Sequence, residues 1–475
     1  MGTHPFELDR DHEAPIYLQL YRRYRDAIIA GKLRPGERVP SVRSLASELN
    51  LARGTVEMAY QMLTGEGYFL TRGPAGTIVS PHLENLRKPA PVTVPGPVAR
   101  SRSQPKAVVT GAPRPLQLGL PALDAFPRKT WIRLAGRTLR GLDAAAMTYP
   151  DPAGYEPLRR AIAAYLGISR GIACTHDQVF ITAGYQGALD LVCRALLRPG
   201  DLGWYEDPGY IFARRFLERA GMRLAPVPVD EEGLKVAIGR QRAAEARFAV
   251  VTPTHQSPMG MALSLPRRLQ LLEWARDRRA WIVEDDYDSE FRYHGRPLPA
   301  LKSLDRDGRV LYAGTFSKVL FPGLRLAYLV VPESQIERFR ESADHLSGPG
   351  SILPQATVAD FMKQGHFARH LRRMRSLYAT RRAYLVDALL KAFGSHLSVQ
   401  PQAGGIHVLA RLNTRGNDRS MAEAARSHGL AVQALNDWRM RGTSRGGLLM
   451  GFANVTGPAM ADDLMRRLMA ATGLR

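Results

Sequence analysis

A single lysine sits between two short apolar runs, and that arrangement restricts the chain to few architectures. Val310-Leu311-Tyr312-Ala313 leads into Gly314-Thr315-Phe316-Ser317-Lys318, and Leu326-Ala327-Tyr328-Leu329-Val330-Val331 follows. Runs of this length and composition read as buried strands. Lys318 then lies where one strand ends and the chain turns toward the next. Its amine is suited to form an imine with a pyridoxal aldehyde, and Thr315, Ser317 and Arg325 are suited to hold a phosphate. The same alternation extends over residues 116–475. Val179–Thr182, Leu202–Glu206, Phe248–Val251 and Trp281–Asp285 read as further buried strands, several separated by helical stretches such as 266–278. This predicts an α/β fold with a mostly parallel central sheet. From about residue 345 the pattern predicts a long helical region and then a smaller α+β part.

The chain begins differently. At 475 residues it is too long for one core, and two or three domains are expected. Residues 12–80 form a compact unit whose regular part starts at Pro15. A first helix carries Ile16, Leu20, Tyr24 and Ile28 on one face. A second carries Val42, Leu45, Ala46 and Leu49, with Ser41 as its cap, and a third carries Val56, Ala59, Tyr60 and Leu63. Two strands around Gly73-Pro74-Ala75-Gly76 complete a winged helix-turn-helix. The third helix of such a unit enters the major groove by its first residues, here Arg53, Gly54 and Thr55. Arg53 is suited to a guanine edge and Thr55 to a phosphate or base; Arg43 would clamp backbone phosphate, and Gly76 would let the wing approach the sugar-phosphate chain. A small α+β module with solvated arginines is the bland alternative. Between the two parts, residues 81–115 carry proline at 81, 89, 91, 95, 97, 105, 113 and 115, and read as a stiff basic linker.

The formal charge of +22 favours a polyanionic partner, though a generally Arg-rich proteome explains it equally well, and the first eighty residues are nearly balanced. Two cysteines, Cys174 and Cys193, exclude a disulfide framework and lack metal-site spacing, so no metal is expected. No apolar run approaches membrane-spanning length, and a soluble, cytoplasmic protein is expected.

Glu284-Asp285-Asp286-Tyr287-Asp288 ends a strand. Side chains alternate there, so Asp285 and Tyr287 share a face that Asp286 does not. Asp285 is assigned to a pyridine nitrogen and Tyr287 to a ring oxygen. A solvated acidic loop is the alternative.

Residues 35–46, Thr55-Val56, Tyr60, Leu63, Glu66-Gly67-Tyr68 and Gly76-Thr77-Ile78-Val79 resemble the GntR family of bacterial repressors. From about residue 116 the chain resembles fold-type I aminotransferases, through Tyr149-Pro150-Asp151-Pro152-Ala153-Gly154, Ala183–Leu189, Asp207-Pro208-Gly209-Tyr210, Thr252–Gly260, and Ser317-Lys318 with Arg325. The combination resembles the MocR/GabR regulators. The resemblance implies pyridoxal 5′-phosphate on Lys318, with Arg325 and the helix opened by Gly184, Tyr185 and Gln186 at its phosphate. It further implies Tyr210 stacked on the ring, His255 near the ring oxygen, and Tyr149 reaching the phosphate of a neighbouring subunit in a head-to-tail homodimer. The expected partners are operator DNA and an amine, amino acid or B6 vitamer as effector. Two departures stand out. Gly447-Leu448-Leu449-Met450-Gly451 has no arginine where catalytic transaminases usually grip a substrate carboxylate, and Phe212 follows Tyr210 where some amino-acid sensors have arginine. The expected function is therefore transcription regulation with at most weak transaminase activity; a working aminotransferase with a regulatory DNA-binding module is the alternative.

Overall fold

The computed structural model describes Leu8 and residues 14–83, 112–144, 147–293, 298–345, 350–399, 402–413, 416–443 and 445–473. They fall into two compact units, one within Met1–Val109 and one within Thr110–Arg475. The proline-rich stretch 81–115 lies outside the described residues except at its two ends.

In the first unit, helices α1 (Ile16–Ile29), α2 (Val42–Glu48) and α3 (Arg53–Gly65) precede a hairpin of β1 (Phe69–Thr71) and β2 (Thr77–Val79). Ser41 caps α2, its hydroxyl accepting from the Ser44 N–H at 3.1 Å. The turn into α3 passes through Asn50 at φ 52°, a left-handed conformation that asparagine tolerates. Leu20, Leu45, Val56, Leu63 and Phe69 are buried at the centre. Each contributes roughly 1.5–3 kcal/mol by leaving water. Tyr24, Tyr60 and Phe69 meet edge to face with centroids 5.0–5.7 Å apart, and the Tyr60 hydroxyl donates to the Pro40 carbonyl at 2.9 Å. This contact ties α3 to the residue that leads into α2.

The second unit is built on an eight-stranded sheet of order β3-β10-β9-β8-β7-β4-β5-β6. The strands are β3 (Val179–Thr182), β4 (Leu202–Asp207), β5 (Arg223–Asp230), β6 (Gly233–Leu234), β7 (Phe248–Val251), β8 (Trp281–Asp286), β9 (Val310–Thr315) and β10 (Ala327–Val330). Neighbours from β5 to β9 pair in parallel, whereas β10 is antiparallel to both β9 and β3. The sequence pattern misses β5. Its prolines at 226 and 228 argue against a strand, but β5 lies beside the two-residue edge strand β6, which pairs only with Val229 and Asp230, so the proline positions owe no ladder donor on that side.

Helices cover both faces. Among them are α4 (Arg128–Arg140), α5 (Glu156–Arg170), α6 (Tyr185–Leu196), α7 (Ile211–Arg219), α8 (Val236–Arg242), α9 (Leu265–Arg278), α10 (Ile336–Asp344) and α11 (Ile352–Lys363). Strand alternation sorts the core. Phe180, Val283, Leu311 and Ala313 pack with α6, α7 and α10; Ile282 and Val310 pack with α8 and α9, while Val179, Ile181 and Tyr312 join the side of α5. The 28-residue α12 (His366–Phe393) then leads to a four-stranded sheet, β11 (Leu397–Val399), β12 (His407–Leu412), β13 (Gln433–Ala434) and β14 (Gly447–Gly451), in the order β11-β12-β14-β13. Helices α13 (Asp418–Ser427) and α14 (Pro458–Thr472) complete this smaller part. Both the long helix and the α+β portion agree with the expectation.

Candidate functional site

The carboxyl ends of the parallel strands bring the sequence-selected residues together, as expected for an open α/β sheet. Asp285 is the last residue but one of β8, Lys318 follows β9, and Gly184 follows β3. Arg325 reaches the same end by a different route. It precedes β10, and because β10 runs antiparallel its start lies beside Thr315 and Thr182.

Lys318 is half-buried, and its Nζ donates to the Gly119 carbonyl at 2.9 Å. Burial holds this amine below the usual lysine range, while Asp288 and Asp285 pull the other way. Asp285 is buried and pushed up to about 8 by desolvation, the Tyr185 hydroxyl pulling it down. Asp286 faces the opposite side of the sheet, pairing with Arg170 of α5 at 2.6 Å and accepting from the Tyr312 hydroxyl at 2.6 Å. The alternation read from the sequence is therefore observed. Tyr287 Oη stands 3.0 Å from His255 Nδ1, which is also 3.1 Å from both Asp288 oxygens. His255 Nε2 is buried without a partner among the described residues.

Gly184 caps α6 at φ 81°, and a β-carbon there would stand 3.1 Å from the Arg325 guanidinium. A glycine, an arginine and the first N–H groups of Tyr185 and Gln186 thus surround one spot. Helix N-termini leave such N–H groups without intrahelical partners and favour anions. Thr315 Oγ1 accepts from the Ser317 N–H at 3.1 Å, which shapes the turn into Lys318. Tyr210 packs against Tyr185, Phe212 and Trp438 with centroids 5.6–6.4 Å apart. Tyr149 is fully exposed on its own chain.

Sequence reasoning passes over Gly119, Asp288, Ser257 and His407. Asp288 closes the acidic run 284–288, and its role appears only through its contact with His255. Ser257 shares the Tyr287 hydroxyl. His407 on β12 has its ring 5.8 Å from His255 and its Nε2 3.0 Å from the Pro258 carbonyl. Burial and the neighbouring His255 lower it to about 4. Gly119 offers only a glycine in Leu118-Gly119-Leu120 as a signal.

In the first unit, Arg43, Arg53 and Gly54 are exposed and Thr55 is half-buried, all at the starts of α2 and α3. Gly76 has φ 90°, and the Arg38 guanidinium occupies the side a β-carbon would take, 3.1 Å away.

Residues 122–468 match the aminotransferase class I and II family, and residues 16–79 match the bacterial regulatory proteins of the gntR family. The chain is 36% identical over 469 residues to the probable rhizopine catabolism regulatory protein MocR of Rhizobium meliloti, covering 96% of this chain and 94% of that one. The chain belongs to the MocR-type GntR regulators. Another relative of this MocR-type chain is the pyridoxine biosynthesis transcriptional regulator PdxR of Corynebacterium glutamicum, 33% identical over 450 residues, covering 95% of this chain and 94% of that one. A solved structure similar to its second unit is the Pyrococcus horikoshii kynurenine aminotransferase, with a TM-score of 0.69 and 27% identity over 77% of this chain and 91% of that one. A MocR-type chain thus joins a DNA-binding module to an aminotransferase-like one. Among the described residues, no helix is long and apolar enough to cross a membrane.

Proposed function

We propose that this MocR-type regulator carries pyridoxal 5′-phosphate on Lys318 and adjusts its grip on an operator to an amine, an amino acid or a B6 vitamer. The proposed division is residues 12–80 for DNA, 81–115 as linker and 116–475 for the cofactor, acting as a cytoplasmic, head-to-tail homodimer. The observation that carries this reading is the convergence at one sheet end of a lysine amine held below its usual range, a buried carboxylate, and a glycine-arginine cradle at a helix N-terminus.

The residues fit the group. Pyridoxal phosphate supplies an aldehyde for a lysine amine and an electron-withdrawing ring. Lys318, kept short of its usual basicity by burial, offers a larger unprotonated fraction for condensation. Asp285 would face the ring nitrogen, where a cationic partner favours its ionised form. Tyr287, held by Ser257 and His255, would donate to the ring oxygen. Arg325, Gly184, Tyr185, Gln186, Thr315 and Ser317 would enclose the phosphate, Tyr210 would cover one ring face, and Tyr149, being exposed, would serve a neighbouring copy. Arg43, Arg53, Gly54, Thr55 and Gly76 form the proposed DNA surface. Efficient transamination is the weaker reading, because β14 presents Leu448, Leu449 and Met450 and no arginine.

Loaded wild-type protein is expected to show a visible absorption band that Lys318→Ala lacks, while the variant still binds operator. A variant keeping the same covalent band would remove Lys318 from the proposal.

A further inference from the structure

Three chain segments enclose a cavity of about 280 Å³ in the second unit. His255 comes from the loop after β7, Asp288, Ser289 and Arg292 from the loop after β8, and Gln402 from the turn ahead of β12. Lys318, Asp285, Gly184 and Arg325 are not on its wall, so it is separate from the cradle described above. Its volume lies near the small end of ligand pockets, which run from roughly 300 Å³ upward.

Four of the lining side chains hold a buried polar atom with no partner among the described residues: His255 Nε2, Ser289 Oγ, Arg292 Nε and Gln402 Oε1. His255 and Gln402 are themselves only 7% exposed. Both are held in place by their other polar atom. His255 Nδ1 is 3.1 Å from both Asp288 oxygens and 3.0 Å from Tyr287 Oη, and Nε2 points away from them. Gln402 Nε2 donates to the Met259 carbonyl at 3.1 Å, which leaves its Oε1 over. A β-carbon at Gly405 would collide with the His255 ring, and one at Gly260 with the Gln402 amide. Buried polar atoms so fixed and so clustered call for a partner.

The set of atoms restricts that partner. Gln402 Oε1 only accepts and Arg292 Nε only donates. Ser289 does either, and so does His255 Nε2, which accepts in the neutral ring and donates in the cation. An anion would stand against Asp288 and against Glu231 on the exposed rim; a cation would face the Arg292 charge and leave its Nε–H unmet. Hydroxyl groups, which donate and accept, meet all four atoms. We infer that this cavity is a second ligand site, behind that of the cofactor, and that it takes a small neutral polyhydroxylated molecule such as a pentose or hexose. A hydroxyl on His255 Nε2 acts through the same ring on Tyr287, so the site reports to the cofactor's ring oxygen; this link alone rests on the cofactor reading.

Calorimetric titration of cofactor-free, full-length protein with D-ribose, D-glucose and D-mannitol tests the site, with ethanolamine and lactate as charged counterparts. At least one of the three polyols is expected to bind saturably and more tightly than either charged molecule. Ser289→Ala and Gln402→Ala should each weaken it by about two- to tenfold, the loss of one hydrogen bond. Ser289→Ala should leave the melting temperature unchanged, which separates lost binding from lost fold. No saturable polyol binding would mean that water alone fills the cavity; that result, a preference for ethanolamine or lactate, or binding unaltered in both variants would overturn the site. On protein loaded with pyridoxal phosphate the bound polyol should shift the visible band. An unshifted band would remove the link through His255. Were the loaded protein to lack a Lys318-dependent band, the cofactor reading would fall, and calorimetry would still decide the cavity.

Discussion

Asp285 and Asp286 are chain neighbours that strand alternation sends to opposite faces of the sheet, where they meet opposite electrostatics. Asp286 meets a buried arginine; Asp285 meets a tyrosine hydroxyl and other acids. Glu206 and Glu284 are likewise buried and Glu290 half-buried, each pushed up to about 7 by desolvation. Without cofactor, these groups hold protons at pH values where the unfolded chain has released them. The folded form therefore binds more protons than the unfolded form between about pH 4 and 8, and stability falls as pH rises through that window. Asp285→Asn should make the decline shallower by about 1.4 kcal/mol per pH unit. Denaturant unfolding of cofactor-free protein at pH 6, 7 and 8 measures it; an unchanged slope would mean that Asp285 is already ionised. The sequence revealed Asp285, Tyr287, Lys318 and Arg325 because each stands in a short run with a recognisable order. It did not reveal Gly119 or His407, since those reach the lysine only through chain segments folded in from far away.

Two helix starts show what a glycine is for. Gly184 opens α6 at a positive φ, with the Arg325 guanidinium filling the place of a side chain. Gly54, the second residue of α3, has ordinary helical backbone, and a β-carbon added there would meet nothing within 4 Å. Gly54→Ala should thus stabilise the first unit by up to about 1 kcal/mol, through helix propensity alone. That corresponds to a rise in its melting temperature of roughly 4–8 °C. An unchanged or lower melting temperature would show that Gly54 has a structural role that its open surroundings conceal. The three helices and the hairpin of this unit were legible from apolar spacing and glycine punctuation. In the second unit the apolar runs revealed the central strands but not their direction: a run such as 326–331 looks the same whether it lies parallel or antiparallel. Strand β5 was hidden by its prolines, whose tolerance depends on the edge position that only the fold supplies.

At the scale of the whole chain, two units with separate cores imply that loading and reading are separable. Arg53→Ala is expected to weaken specific operator binding by about tenfold or more, the loss of one bidentate base contact, while cofactor loading stays unchanged. Binding isotherms on operator and absorbance titrations with pyridoxal phosphate check both halves. Loss of loading with intact operator binding would reverse the assignment of the two units. An effector that couples them by about 1–3 kcal/mol would change operator affinity about 5- to 150-fold.

The Lys318–Gly119 hydrogen bond bears on how such coupling could start. Just upstream of Gly119, the Pro115 carbonyl accepts from the Ala431 N–H and the Leu116 carbonyl from the Gly451 N–H, so the chain's entry into the second unit is stitched to β14 and its surroundings. The lysine amine is the next stitch. Any bond made to that nitrogen competes with it, and the slack falls on the stretch of polypeptide that is covalently continuous with the tether to the DNA-reading unit.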